Sequence, residues 1–266
     1  MAGLREMLHR LPAIGLDELN DRAALTSRVD HKYALPQDEL AAALRSVGDG
    51  LDILEVAGRR QSRYESVYFD TPDRRVFRDH VEDARPRWKA RTRRYVDTGA
   101  CYLELKVKTR DDETVKRRIE HDGGLSQAAR RFLADVLDEH AAGPLPDDLA
   151  PVLVTRFSRV TLVRRGAEER VTIDRGIELA VVAGGTARLR EDCAVVETKT
   201  PDGRGALDDL LAGRGVQPVS ISKYRLGIEM LEGAAGPASP LAADFEPAGG
   251  EPPSACRRRP AGTGAT

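Results

Sequence analysis

The chain has 266 residues, 41% of them hydrophobic and 32% charged, with 42 Lys+Arg against 43 Asp+Glu and a formal net charge of −1. This composition fits a soluble globular protein with an unusually charged surface or interior. No apolar run approaches the roughly 18 residues of a membrane span, and Met1 to Arg10 lacks a signal-peptide core, so the expected compartment is the cytoplasm. Only seven of the bases are lysine: Lys32, Lys89, Lys106, Lys108, Lys116, Lys199 and Lys223. The rest are arginine, so each compact ammonium stands out against a background of planar guanidiniums.

In chain order, periodicity predicts a helix over 16–25 with Asp17 as its N-cap, a strand over 28–33, and a helix over 37–47 stopped by Gly48. Strands follow at 64–70, 87–95, 102–108 and 114–120, the last two joined as a hairpin through Thr109–Glu113. A helix over 126–140, N-capped by Ser126, precedes strands at 152–163, 170–174, 188–190 and 195–200. Helices over 204–213, stopped by Gly213, and over 223–232 complete residues 1–232, which read as one domain. Residues 233–266 are rich in Pro, Gly and Ala and are expected to form a disordered tail.

Residues i, i+2 and i+4 of a strand share a face. Arg28, Asp30 and Lys32 fall together, as do Arg87, Lys89, Arg91 and Arg93. So do Glu104, Lys106 and Lys108, then Lys116, Arg118 and Glu120, then Arg170, Thr172 and Asp174, and finally Glu197 and Lys199. Bases outnumber acids on these faces, while many acids sit on the predicted helices. Like charges opposite one another destabilise a sheet unless an anion offsets them, and phosphate does so through charge-assisted hydrogen bonds. The expectation is an α+β fold, an antiparallel β-barrel tunnel with flanking helices and a basic bore for a polyanion. Among the acids on the basic face, Glu197 is the metal candidate, since Mg2+ and Mn2+ take oxygen ligands beside substrate phosphates. No GxxxxGK[ST] loop, GxGxxG, GxSxG or HExxH is present, and the three cysteines and five histidines show no metal-ligand spacing. Aromatic residues make up 5% and form no run suited to base stacking, so a nucleic-acid partner is not expected.

Nine segments in this order resemble the VTC domain, the polyphosphate polymerase branch of the CYTH-like triphosphate tunnel metalloenzymes. They are RVDHKY (28–33), SVYFDTPD (66–73), KARTRRY (89–95), LELKVKT (103–109), VKRRIE (115–120), TRFSR (155–159), RVTIDRGIEL (170–179), VVETK (195–199) and SKYRLG (222–227). The resemblance implies an antiparallel tunnel and ATP-dependent elongation of inorganic polyphosphate, with ATP and polyphosphate or pyrophosphate as partners. It places phosphate contacts of the reaction on Lys32, Arg91, Arg93, Lys106, Lys116, Arg156 and Arg170. It places further substrate contacts on Lys199, Ser222 and Lys223 and a divalent Mn2+ or Mg2+ on Glu197, while the basic strand faces add Arg28, Lys89, Lys108 and Arg118 as substrate contacts. Arg156 and Lys223 come from the resemblance alone. Hydrolytic relatives open with ExExK, whereas this chain reads Arg28-Val29-Asp30-His31-Lys32, replacing one acid by a base. That lowers metal-ligand capacity and favours a polymerase or a binder over a triphosphatase. A triphosphatase or other nucleotide-processing tunnel enzyme, and a non-catalytic polyphosphate-binding module, stay open as alternatives. Membrane coupling, as in fungal members, would fall to a separate membrane-protein partner.

Overall fold

Alternation of apolar and charged residues folds the chain into one large sheet wrapped by short helices. The computed structural model describes residues 3–23, 28–233 and 240–247. Its elements run α1 (Leu4–Arg10), β1 (Ala13–Ile14), α2 (Leu16–Arg22), β2 (Val29–Pro36), α3 (Gln37–Val47), β3 (Leu51–Leu54), β4 (Ser62–Asp70) and α4 (Arg75–Val81). They continue β5 (Arg87–Tyr95), β6 (Cys101–Lys108), β7 (Thr114–Glu120), α5 (Gln127–Glu139), β8 (Ala150–Arg164), β9 (Arg170–Val181), β10 (Thr186–Leu189) and β11 (Cys193–Thr200). α6 (Ala206–Gly213), α7 (Lys223–Glu232), a 3-10 turn (Pro240–Asp244) and β12 (Phe245–Pro247) complete them. Every pairing is antiparallel except β1 with β3.

The long strands β8 and β9 form the spine. From them one wing runs β8-β4-β5-β6-β7, and the other runs β9-β11-β2. The wings curl toward each other, and among the described residues no backbone ladder joins β2 to β7. The expected α+β antiparallel tunnel is thus present, its wall left unzipped along one seam.

The outer face of each wing is apolar and covered by helices. Leu103, Leu105 and Val107 of β6 are 0% exposed, and they pack with Ala129, Leu133, Val136 and Leu137 of α5, spaced one and two helical turns apart. Burying each such side chain stabilises the fold by about 1.5–3 kcal/mol. On the other wing, Tyr33, Leu35, Val171, Ile173, Ala194 and Val196 pack against Leu40 and Leu44 of α3 and Leu207 and Leu211 of α6. The inner faces keep the charges.

Several sequence expectations meet their elements: β5, β7, α3 and α7 run as read, and Ser126 caps α5 by accepting from the Ala129 N–H. α2 is capped at Gly15 rather than Asp17, and its expected end at Leu25 lies outside the described residues. α6 includes Gly213 in its last turn, and the backbone turns left-handed at Gly215. β9 continues to Val181, well past the expected Asp174. A bulge lets it do so: Arg156 pairs with Glu178 but Ser158 with Arg175, and Gly176 takes φ +56 within the extra step.

Within the segment read as a tail, residues 240–247 are placed. β12 pairs with β10, and Leu241 and Phe245 are buried in the main core. These two large apolar side chains anchor a stretch whose average composition is that of a linker. Residues 234–239 and 248–266 lie outside the described residues.

α7 crosses the sheet at close quarters. A Cβ on Gly227 would meet both methyls of the buried Leu153 at 2.7 Å. Gly227→Val is expected to destabilise the protein by about 1–3 kcal/mol through overpacking, read as a lower urea midpoint at unchanged m-value.

Candidate functional site

Register on the β5-β6-β7 wing arranges the inward side chains in rungs. Lys89, Lys106 and Lys116 sit directly opposite one another on three adjacent strands. The next rung is Arg91, Glu104 and Arg118, and the one after it Arg93, Tyr102 and Glu120. On the facing wing, Lys32, Glu197 and Thr172 form one rung and Asp30, Lys199 and Arg170 the next. The wings meet across the interior: Lys32 repels both Lys89 and Lys106.

Glu104, Asp174 and Glu197 are each claimed by two bases. The Glu104 carboxylate accepts from Arg91 at 2.7 and 2.8 Å and from Lys116 at 2.9 Å. Asp174 accepts two bonds from Arg159, at 2.6 and 2.8 Å, and one from Lys223 at 2.6 Å. Glu197 lies 3.0 Å from Lys199 and 3.7 Å from Lys32, and Lys199 also reaches Asp30 at 3.2 Å. Burial raises the pKa of Glu104 and Glu197, but the surrounding cations overcome it and hold both at about 2.

The bases nonetheless remain in surplus. Among the described residues, Lys89, Arg93 and Lys106 have no carboxylate partner at ion-pair distance; Lys89 donates to Ser222 Oγ at 3.2 Å. Burial, reinforced by Lys106, Lys32 and Arg91, pulls the Lys89 ammonium down to about 7. Burial also lowers Lys106, Lys116 (to about 8, with Arg91 and Arg93 adding to it) and Arg93 (to about 10, with Arg91). Tyr68 is drawn into the same field. Burial would raise its phenol, yet Arg91, which donates to it at 2.8 Å, and Arg93 bring it below its ordinary value.

The structure therefore brings Lys32, Lys89, Arg91, Arg93, Lys106, Lys116, Arg118, Glu197, Lys199, Ser222 and Lys223 to one concave face. Ser222 also caps α7 and Lys223 opens it, so this helix carries both into the bore. Arg28, Arg170 and Lys108 lie at rims. Arg28 pairs with Asp30, Lys108 with Asp112, and Arg170 donates to the Leu19 and Ala23 carbonyls at the end of α2. Arg156 is corrected. Its side chain is 51% exposed on the outer face, bonded to Glu65 and Glu178 at 2.8 Å each. The inward arginine of that strand is Arg159, which shares its face with Thr155 and Phe157. Arginines and apolar residues occur on both faces of β8, so alternation alone did not choose between them.

Among the described residues, no three His, Cys, Asp or Glu side chains gather as a ready-made metal cage. Glu197 is a single ionised carboxylate aimed at the bore. That fits a cation bound by one carboxylate and otherwise by phosphate and water. No helix among the described residues is long and apolar enough to cross a membrane.

The VTC domain profile matches residues 27–232, nearly all of the sheet and its helices. The chain belongs to the VTC domain family. No curated protein sequence matches it. Solved structures similar to it include HpAC1 from Hippeastrum, described by a dominant triphosphatase activity, at 17% identity and TM-score 0.45, covering 80% of this chain and 98% of that one. A candidate adenylate cyclase from Vibrio parahaemolyticus is similar at 12% identity and TM-score 0.42, over 74% and 94% of the two chains. PH1819 from Pyrococcus horikoshii OT3 is similar at 15% identity and TM-score 0.41, over 76% and 96%.

Two outcomes follow from this VTC domain's charges. An unfolded lysine titrates near 10.4, whereas Lys89 titrates at about 7 in the fold, so between those values the unfolded chain binds more protons. Stability of the ligand-free protein is therefore expected to rise as pH increases from about 7 toward 10. Lys89→Met should raise the thermal midpoint at pH 7 and flatten that slope; a lower midpoint would contradict the charge balance described. Arg156→Ala should lower stability by no more than about 1 kcal/mol, because its ion pairs are on the outer surface. The urea midpoint reads this directly.

Proposed function

We propose that this VTC domain is an ATP-dependent polyphosphate polymerase, transferring the γ-phosphoryl group of ATP to a growing chain inside the bore. The observation that carries the reading is the surplus of closely spaced, inward bases in a domain of this family. Three lysines stand side by side on one rung, each with its pKa lowered chiefly by burial, and Lys32 adds repulsion to two of them, Lys89 and Lys106. A phosphate chain supplies the missing negative charge continuously along the bore, which a single small anion does not.

In this reading Lys106, Lys116, Lys89 and Lys32 hold the terminal phosphates, while Arg91 and Arg93 hold those nearer the nucleoside. A terminal oxygen of the acceptor chain attacks the γ-phosphorus. The bond from that phosphorus to the β–γ bridging oxygen breaks, and ADP leaves with the electron pair. The bases position both reactants in line and neutralise charge as it redistributes, so no protein nucleophile is required. Glu197 would hold a divalent cation, which supplies Lewis-acid polarisation of the phosphate oxygens when bound. Lys199 and Lys32 keep that carboxylate ionised and aligned until the cation arrives. Arg28 stands where a hydrolytic ExExK strand carries its first acid, which leaves fewer ligands for activating water and favours a phosphate acceptor.

The test is product analysis with ATP, Mn2+ and a priming polyphosphate. Long-chain polyphosphate and ADP are expected in step. Free phosphate without chain growth would replace the polymerase by a triphosphatase, and tight salt-sensitive binding without turnover by a binding module. Glu197→Ala is expected to lower turnover by at least about a hundredfold while retaining polyphosphate binding.

A further inference from the structure

At one end of the bore the cations give way to a set of aromatic rings, with Arg93, Arg159 and Lys223 lying over the innermost of them. Of the twelve aromatic residues in the chain, four meet at one end of the concave face. Tyr64 stacks on Phe157 with centroids 5.2 Å apart and planes at 15°, and contacts Tyr95 at 4.9 Å. Tyr95 meets the edge of Tyr102 at 5.9 Å. All four have inward parity: Tyr64 lies two residues from Ser66, Tyr95 two from Arg93, Tyr102 two from Glu104, and Phe157 two from Arg159. Phe157 is buried, while the three tyrosines are partly exposed. The Arg118 guanidinium lies 4.9 Å from the Tyr102 ring centre, and Arg118 is itself exposed.

Charge changes over the same distance. Along β7 the inward residues read Lys116, Arg118, Glu120, and Glu120 is the residue opposite Tyr102. One rung, about 7 Å of strand, therefore brings a ring and a carboxylate alongside Arg93, the one base left on that rung. A phosphate is disfavoured beside Glu120, whereas a flat, uncharged π-system is favoured on Tyr102 and on the outer plane of Arg118. Four residues along β6, about 14 Å, separate Tyr102 from Lys106, a distance that a ribose triphosphate spans.

We propose that Tyr102 and Arg118, backed by Tyr95 and Tyr64, form a stacking platform for the nucleobase of a nucleoside triphosphate whose phosphates run toward Lys106. This rests on the reading of the bore as a triphosphate site and fixes the direction in which the nucleotide lies. Glu120 accepts a hydrogen bond from a sugar hydroxyl, a contact unavailable to inorganic polyphosphate. Stacking on a ring and a guanidinium is tolerant of base identity, so the ligand class is nucleoside triphosphates rather than adenine nucleotides alone.

The test is calorimetric titration of the full chain with ATP and, separately, with inorganic tripolyphosphate. Tyr102→Leu is expected to weaken ATP by about tenfold while leaving tripolyphosphate within twofold, and Tyr102→Trp to restore ATP. Retained tripolyphosphate affinity certifies that the variant is folded. Equal losses for both ligands, or unchanged ATP affinity in Tyr102→Leu, overturn the platform. Wild-type protein that shows the Tyr102-dependent ATP increment but makes no polymer retires the polymerase and leaves the platform standing. Protein that binds neither ligand overturns both.

Discussion

Three lysines on one rung are the constraint around which this domain is built. Lys89, Lys106 and Lys116 occupy directly opposed positions on neighbouring strands, where side chains approach to about 4.5–5.5 Å between Cβ atoms and like charges repel. An ordinary half-solvated sheet would scatter its signs. Here Lys32, from the far wing, adds to the same field. The repulsion is borne by the hydrophobic outer faces, where β6 alone contributes three side chains with no exposure at all.

Carboxylates serve as ballast in this arrangement rather than as a second lining. Glu104 ties Arg91 to Lys116, Asp174 ties Arg159 to Lys223, and Glu197 lies between Lys199 and Lys32. Each acid holds two cations in place and cancels only one. The Asp174 pair also fastens α7 to the spine, with the Lys223 ammonium 4.5 Å from the centre of the Phe157 ring. Local charge balance, helix position and the shape of the bore are thus set by the same few contacts.

Much of this was legible in the sequence because a strand's period of two is rigid. β5 and β7 begin and end where alternation placed them, and their basic residues face inward as read. Parity failed where it was ambiguous or interrupted. β8 carries an arginine on each face, so parity offered no check on Arg156, which was named from the resemblance alone, and did not point to Arg159. β9 contains a bulge that turns Asp174 inward and Glu178 outward despite their even spacing. Short elements without a full period, β1, β3, α1 and α4, left no pattern to read. The acids on predicted helices are not all at the surface either: Asp208 of α6 is 5% exposed and accepts from Tyr33 and Thr198 at 2.7 and 2.6 Å. A composition of 5% aromatics gave no hint that four rings converge, because convergence depends on register across four strands.

The open seam between β2 and β7 carries a mechanical meaning. In a barrel closed by backbone ladders, strand number and stagger fix the diameter. Here the strands that would meet instead present Lys32 on one side and Lys116 on the other, so no hydrogen-bonded hoop sets the circumference. The gauge of the channel is therefore free of any backbone constraint, and the repulsion of Lys32 by Lys89 and Lys106 acts to widen it. An anion held between the two jaws would offset that repulsion and let them approach, so the width of such a channel answers to the charge inside it.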